Sequence, residues 1–485
     1  MRPERRNRAA IVVLRLLGAA VAVAALAALT SDLAGKASSP STPAPEARAT
    51  PPPEDEQPRN RKPAIVVHEG DPTVYDSQSA LQRCARERRK IGSSSTTAGL
   101  DDDVDAISRR VERIRDLTFP RPVQTRLVSR AEVGERFARG FLRRYDAREA
   151  DRDARVLAAL RLVPEGADLR ELTSRLLTQG VAGFYNPRKD RLFAGSAGGA
   201  LTPYDEMVLA HELDHALVDQ VLGLPGTLTR DPMLGDVMAG HQALAEGDAT
   251  LVMLRYARAR FTAADYDAFA SRFSQRAVQP IPGVPYVFAR TSEFPYYEGL
   301  LFACRAWRDG GWGAVSDMYL RPPATTADVL FPLRYDEDGE PDLPRPPGSP
   351  GGEWGAVHAE SFGALDLMVL LENADLLSRG ETVPGSHVRA VGGWDGGVLH
   401  TWLRGPDTAI HLALVDRGVG TEDGRRRRLC GVLRRWFRET YPDAAPAGRD
   451  RWAFEGDRAR LRCEGRYVAL TMGPSGKVVR NVSRG

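Results

Sequence analysis

Residues 202–222, TPYDEMVLAHELDHALVDQVL, read as one helix that carries chemistry. Thr202 is a good N-cap, Pro203 suits the first helical position, and Asp205 and Glu206 fall in the first turn, where the helix dipole favours acids. Gly223 and Pro225 supply the stop. Inside this helix His211-Glu212-Leu213-Asp214-His215 is an HExxH motif, whose histidines lie one turn apart on one face and can reach a single ion. Glu212 projects beside them, within reach of a proton on water activated by the metal. Two histidines and two carboxylates in an otherwise apolar helix are costly to bury without partners, and a bound cation satisfies them. The plain alternative is a pair of histidines on a solvated helix face.

A catalytic zinc site takes three protein ligands and keeps one position open. The next helix, expected at Asp236–Arg260, carries Glu246 between the small residues Ala245 and Gly247, which let backbones come close. Glu246 is therefore the expected third ligand, with His241 and Asp248 as competitors. His241 precedes it by about 1.4 turns of an ideal helix and points elsewhere. Asp248, Asp236, Asp214 and Asp219 are candidates for orienting a ligand histidine through its other ring nitrogen. Hydrolysis of an amide also needs a donor for the developing oxyanion. Tyr296 in FPYYEG is the first candidate, followed by Tyr297 and Tyr185. His358, His387, His400 and His411 fall outside any ligand spacing.

Before the motif, DDDVDAISRRVERIRDL (Asp101 to Leu117), RAEVGERFARGFLRRY and DARVLAALRLV repeat apolar residues at helical spacing, so the residues before about 200 read as a helical layer. VAGFYNPRKDRLFAG, Val181 to Gly195, breaks the pattern with two β-prone runs around a turn and reads as a hairpin whose edge can take an extended peptide. Further helices are expected at Glu298–Asp309, Ser361–Glu372 and Arg426–Thr440, and the tail alternates as a small β-hairpin or meander. The fold class is mainly α with a small β component.

The 485 residues exceed one ordinary core, and 42% apolar with 27% charged residues is the composition of a soluble globular chain. A net charge of +3 from 67 basic and 64 acidic residues gives no nucleic-acid footprint, and the basic run from Arg425 to Arg438 reads as a solvated face. Cys84, Cys304, Cys430 and Cys463 lack CxxC spacing, and as disulfides they allow three connectivities. Cys430 with Cys463 is the first guess, against buried unpaired thiols.

Arg2, Arg5, Arg6 and Arg8 precede an apolar run from Ile11 to Leu29, which predicts a signal anchor or a signal peptide at 1–35. The run is just long enough to span a bilayer, which favours an anchor; Ala25-Leu26-Ala27 leaves cleavage open. The expectation is a single-pass membrane protein with its catalytic part outside the cytoplasm, or a secreted one. A Pro-rich disordered tether follows at 36–63, then an N-terminal helical region ending in the hairpin at 64–200, a helical zinc-binding region at 201–440 and a C-terminal hairpin at 441–485.

These residues resemble the gluzincin group of zinc metallopeptidases, in which a HExxH helix is followed by a helix that gives a glutamate ligand. The blocks GFYNPRKDRLF, LAHELDHALVDQ, ALAEGDATLVM, FPYYEGLLF, GGWGAVSDMYLRPPATTADVLFP and GWDGG are similar to a family of exported, largely uncharacterised bacterial metallopeptidase-like proteins. The resemblance implies a zincin-like core with an active-site helix, a glutamate-ligand helix and an edge hairpin. It also implies Zn2+ on His211, His215 and Glu246, Glu212 as general base, and a peptide or protein substrate. Where thermolysin-like enzymes place an Asp one turn after the glutamate ligand, this chain has Thr250. Two rival readings share these residues: an envelope scaffold with a structural metal, and a zinc amidase on a non-protein substrate.

Overall fold

The helical layer begins with α1 (Leu100–Arg115), α2 (Arg130–Leu142), α3 (Ala147–Ala159) and α4 (Leu169–Gly180). The computed structural model describes residues 73–77, 84, 100–196, 201–226, 231–262, 265, 283–336, 340–417 and 428–484. Side chains start three of these helices: Ser129, Asp146 and Asp168 each accept from backbone N–H groups of the first turn, and Asp146 forms a capping box with Glu149. The expected hairpin is present as β2 (Gly183–Asn186) and β3 (Arg191–Gly195), with Asp190 at a φ of 47° in its turn. Its third strand, β1 (Gln124–Val128), pairs parallel to β3 and makes a sheet of order β1-β3-β2, so β2 is an edge. QTRLV is short and has no clear apolar alternation, which is why helical periodicity on either side concealed it.

The motif helix α5 runs Pro203–Val221, started by the Thr202/Asp205 capping box. It packs against α1, against β2 and β3, and against α6 (Gly235–Arg260). Burial on several sides explains why α5 and α6 show no single apolar stripe. Helix α7 (Tyr286–Leu320) is longer than the expected Glu298–Asp309 and lies along α6, with its helical path broken at Gly310 and Gly311. Gly311 has a φ of 67°, a conformation that suits glycine. Two short helices, α8 (Thr326–Leu330) and α9 (Pro332–Tyr335), lead to the carboxy-terminal part. Ile107, Val111, Leu192, Leu209, Leu213, Leu217, Val252 and Tyr256 form a core of their own around α5.

The fold is mixed α and β, with more β structure than expected. Strands β4 (Gly355–Ser361), β5 (Trp394–Arg404), β6 (Asp407–Asp416), β7 (Ala445–Pro446), β8 (Arg451–Phe454), β9 (Asp457–Glu464) and β10 (Tyr467–Gly473) form one antiparallel sheet. Its order is β4-β5-β6-β10-β9-β8-β7. The expected tail hairpin is half of this sheet; the other half comes from 355–416, inside the stretch read as helical. Strands β5 and β6 are buried on both faces for most of their length, so WDGGVLHTWLR and DTAIHLALVD lack the alternation that marks a half-exposed strand. Helix α10 (Ala364–Arg379) follows β4, and α11 (Arg428–Thr440) packs Trp436 and Phe437 into the core. Helix α12 (Gly476–Val482) lays Val478 and Val482 against Trp402 and Ala409 on the sheet. Cys430 and Cys463 are bonded as expected, and Cys84 is bonded to Cys304.

The membrane expectation is corrected. Among the described residues no helix is long and apolar enough to cross a membrane. The long helices carry ionisable side chains at intervals: α6 alone holds Asp236, Glu246, Asp248, Arg255, Arg258 and Arg260. The run Ile11–Leu29, on which the anchor and the extracytoplasmic placement rested, lies outside the described residues, as does the tether at 36–63.

His411 of β6 is buried, with Nδ1 2.8 Å from the Thr471 hydroxyl of β10. Burial, with positive charge from His400 and Arg462 nearby, pushes its pKa down to about 3. The unfolded imidazole titrates near 6.5, so between these values the unfolded chain binds a proton that the folded chain refuses. Stability should be fully present above about 6.5 and fall as pH drops toward 3. Thermal melts of wild type and His411→Gln across pH 7 to 4 check this, and the variant should show the shallower decline.

Candidate metal centre

The motif histidines meet Glu246 as the spacing requires. His211 and His215 stand one turn apart on α5 with ring centroids 4.7 Å apart and planes nearly perpendicular, at 89°. Their Nε2 atoms are 3.1 Å from each other, and Glu246 Oε2 on α6 lies 3.0 Å from the first and 3.2 Å from the second. These three are the group of His, Cys, Asp and Glu side chains among the described residues placed to hold a metal ion. A tetrahedral zinc with arms of about 2.0–2.1 Å separates its ligand atoms by about 3.3 Å, so the triangle fits that ion with little adjustment.

The electrostatics match a site that wants positive charge. Burial acts against charge on His215, but Glu246, with Glu212 and Asp214 adding, carries its pKa up to about 9. Burial also opposes ionisation of Glu246, yet the two histidines hold it down to about 2. His211 is pushed down, chiefly by burial. Glu246 is thus biased toward its ionised form and His215 toward its protonated one. Glu212 is raised to about 7 by burial, with Glu246 adding, while His215 and the backbone N–H of Tyr185 work the other way. A carboxyl poised near neutrality beside an ion site can both take and return a proton.

Strand β2 reaches the site through its backbone. The Tyr185 backbone N–H lies near enough to the Glu212 carboxylate to favour its charged form. Gly183 passes so close that a Cβ there would meet Val208 Cγ1 at 2.8 Å and Glu212 Cγ at 2.9 Å. The expected hairpin edge therefore runs beside the motif, and the glycine of GFYN, adjoining the aromatic pair, was the signal for this contact.

Of the three tyrosines weighed, Tyr296 is at the site. It is 1% exposed on α7, its ring lies 6.0 Å from that of His211, and its hydroxyl is close enough to Glu246 for the carboxylate to push its pKa up alongside burial. Tyr185 turns its hydroxyl to Asp190 and Asp219, and Tyr297 packs beside Tyr75. His241 points away, its Nδ1 3.3 Å from the Gly226 carbonyl. His387 pairs with Asp375, and His400 and His411 lie in the sheet; the side chain of His358 lies outside the described set. The four aspartates considered as supports for the ligand histidines have other partners. Asp219 accepts from Tyr185, Asp236 from Thr326, and Asp248 from Arg115 and Tyr319, while Asp214 faces Arg115. The role of Arg115 left no trace in motif spacing, since α1 lies about a hundred residues upstream.

Gly247 works on a different neighbour from the one its sequence suggests. A Cβ there would stand 2.1 Å from the Gly299 carbonyl oxygen of α7, and one on Gly299 would stand 2.2 Å from the Ala243 carbonyl oxygen. The two glycines let α6 and α7 touch backbone to backbone, which fixes Glu246 and Tyr296 relative to each other. Gly247→Ala should force the helices apart and lower stability by about 1–3 kcal/mol. Chemical denaturation checks this, with Ala245→Ser as a control that keeps a small side chain.

No family model, no curated protein and no solved structure matches this chain.

Proposed function

We propose that the chain is a zinc-dependent metallohydrolase, best read as a metalloendopeptidase of gluzincin type. The observation that carries this is the triangle of His211, His215 and Glu246 ligand atoms with edges of 3.0–3.2 Å, set beside a buried Glu212 whose pKa is raised to about 7. When bound, zinc supplies Lewis-acid polarisation of a carbonyl and acidifies water. Glu212 takes the water proton and passes it to the leaving amine. The Tyr296 hydroxyl, beside Glu246, is the candidate donor to the developing oxyanion. An extended peptide adds to the free edge of β2, which sets its carbonyl near Glu212.

One observation favours a second reading, a structural metal site: His211, Glu212 and Glu246 are only 4%, 7% and 8% exposed. A structural zinc, however, closes with four protein ligands, and among the described residues three converge here. The same burial has a catalytic use, because it raises Glu212 into the working range of a base.

Metal analysis by mass spectrometry of the purified full chain tests the reading. About one zinc per chain is expected in wild type, lost in Glu246→Ala. Glu212→Gln should keep its zinc and lose roughly 10²–10⁴-fold in hydrolysis of any peptide the wild type cleaves. Wild type that stays free of zinc after supplementation sinks the reading; so does a Glu212→Gln variant that cleaves as wild type does.

A further inference from the structure

Asp214 immediately precedes the ligand His215, and Asp248 follows the ligand Glu246 by two residues. Both carboxylates face one guanidinium. Arg115, at the end of α1, donates through Nε and Nη2 to Asp248 Oδ2 at 3.2 and 3.1 Å, and its Nε lies 4.0 Å from Asp214 Oδ1. Its Nη1 donates to the Ser316 hydroxyl at 3.0 Å, and its plane lies over the Trp312 ring at 4.8 Å, both on α7. Tyr319, also on α7, donates to the same Asp248 oxygen at 2.9 Å. Arg115, Asp214 and Asp248 are all fully buried. Neither oxygen of Asp214 accepts a hydrogen bond among the described residues, which makes the contact with Arg115 its main compensation.

A buried ionic cluster is a poor source of net stability, because desolvation of the charges consumes most of their attraction, and apolar side chains of similar volume often do as well. What it supplies is geometry: a planar fork with fixed donors meets its acceptors in one arrangement. The fork hydrogen-bonds Asp248 of α6 and Ser316 of α7 and lies 4.0 Å from Asp214 of α5, at positions adjoining two of the three candidate ligands.

We propose that Arg115 is a positioning residue for the metal centre: hydrogen-bonded to Asp248 of α6 and lying against Asp214 of α5, it fixes the spacing of these helices, and so the distance between His215 and Glu246. The proposal rests on the zinc reading above. Residues that support ligands from outside the coordination sphere typically change metal affinity by about 10–100-fold when removed.

The test is the zinc dissociation constant of the full chain, measured by competition with a chromophoric chelator at fixed pH. The melting temperature of each metal-free protein is measured beside it. Arg115→Met should bind zinc about 10–100-fold more weakly than wild type. Arg115→Lys should recover only part of that loss, since an ammonium keeps the charge without the fork. Tyr319→Phe removes one hydrogen bond to Asp248 without leaving a charge unpaired, and should weaken zinc several-fold at a nearly unchanged metal-free melting temperature. A purely structural role predicts otherwise: lower melting temperatures and an unaltered dissociation constant in the folded protein, and that result overturns the proposal. If Arg115→Met does not fold, Tyr319→Phe decides, and wild-type affinity in it overturns the proposal. Zinc bound by wild type and equally by the variants sinks this inference alone, whereas wild type that binds no zinc sinks the metal reading and this inference with it.

Discussion

Two imidazole nitrogens and a carboxylate oxygen facing one another at 3.0–3.2 Å in a largely apolar interior need positive charge among them, and much of the surrounding architecture serves that need. Without it Glu246 would be an uncompensated buried anion. Helix α5 supplies both histidines only because it lies between α1, the three-stranded sheet and α6. Helix α6 in turn sets Glu246 at its place because the adjoining face, at Ala243 and Gly247, presses on Gly299 of α7 backbone to backbone. The centre is thus built by helix packing rather than by loops, and its geometry inherits the rigidity of the helices.

The site was more legible than the fold. HExxH fixes two side chains on one helical face by periodicity alone, and a small-flanked glutamate on the following helix completes the set, so His211, His215 and Glu246 could be named from local pattern. Tyr296 was one of three tyrosines of similar promise, and only the packing of α7 on α6 separates it from Tyr297, its neighbour in the chain. Interactions that join distant segments were invisible. Arg115 meets Asp248 across 133 residues, and the N–H of Tyr185 acts through the backbone, where side-chain patterns are silent.

The seven-stranded sheet shows the opposite case, a large element with a weak signature. Period-two alternation betrays a strand when one face is wet, and it did so for β8 to β10 at the tail. Strands β5 and β6 occupy the middle of the sheet with covered faces, and their continuous apolar character does not distinguish strand from buried helix. The pairing of β6 with β10, which joins the two halves, is a long-range contact for which no local rule exists.

The bond between Cys84 and Cys304 closes a covalent ring across 220 residues of sequence. All three candidate ligands, Glu212, Tyr296 and Arg115 lie inside that ring. A single cut anywhere within it opens the ring without dividing the molecule: both pieces stay joined, and each keeps its share of the packed helices. Nicked and intact chains therefore have nearly the same mass until the bond is reduced and the chain denatured, when the nicked form separates into two fragments. Internal cleavage would leave the candidate metal centre covalently connected, and would escape notice in any separation by size carried out without a reductant.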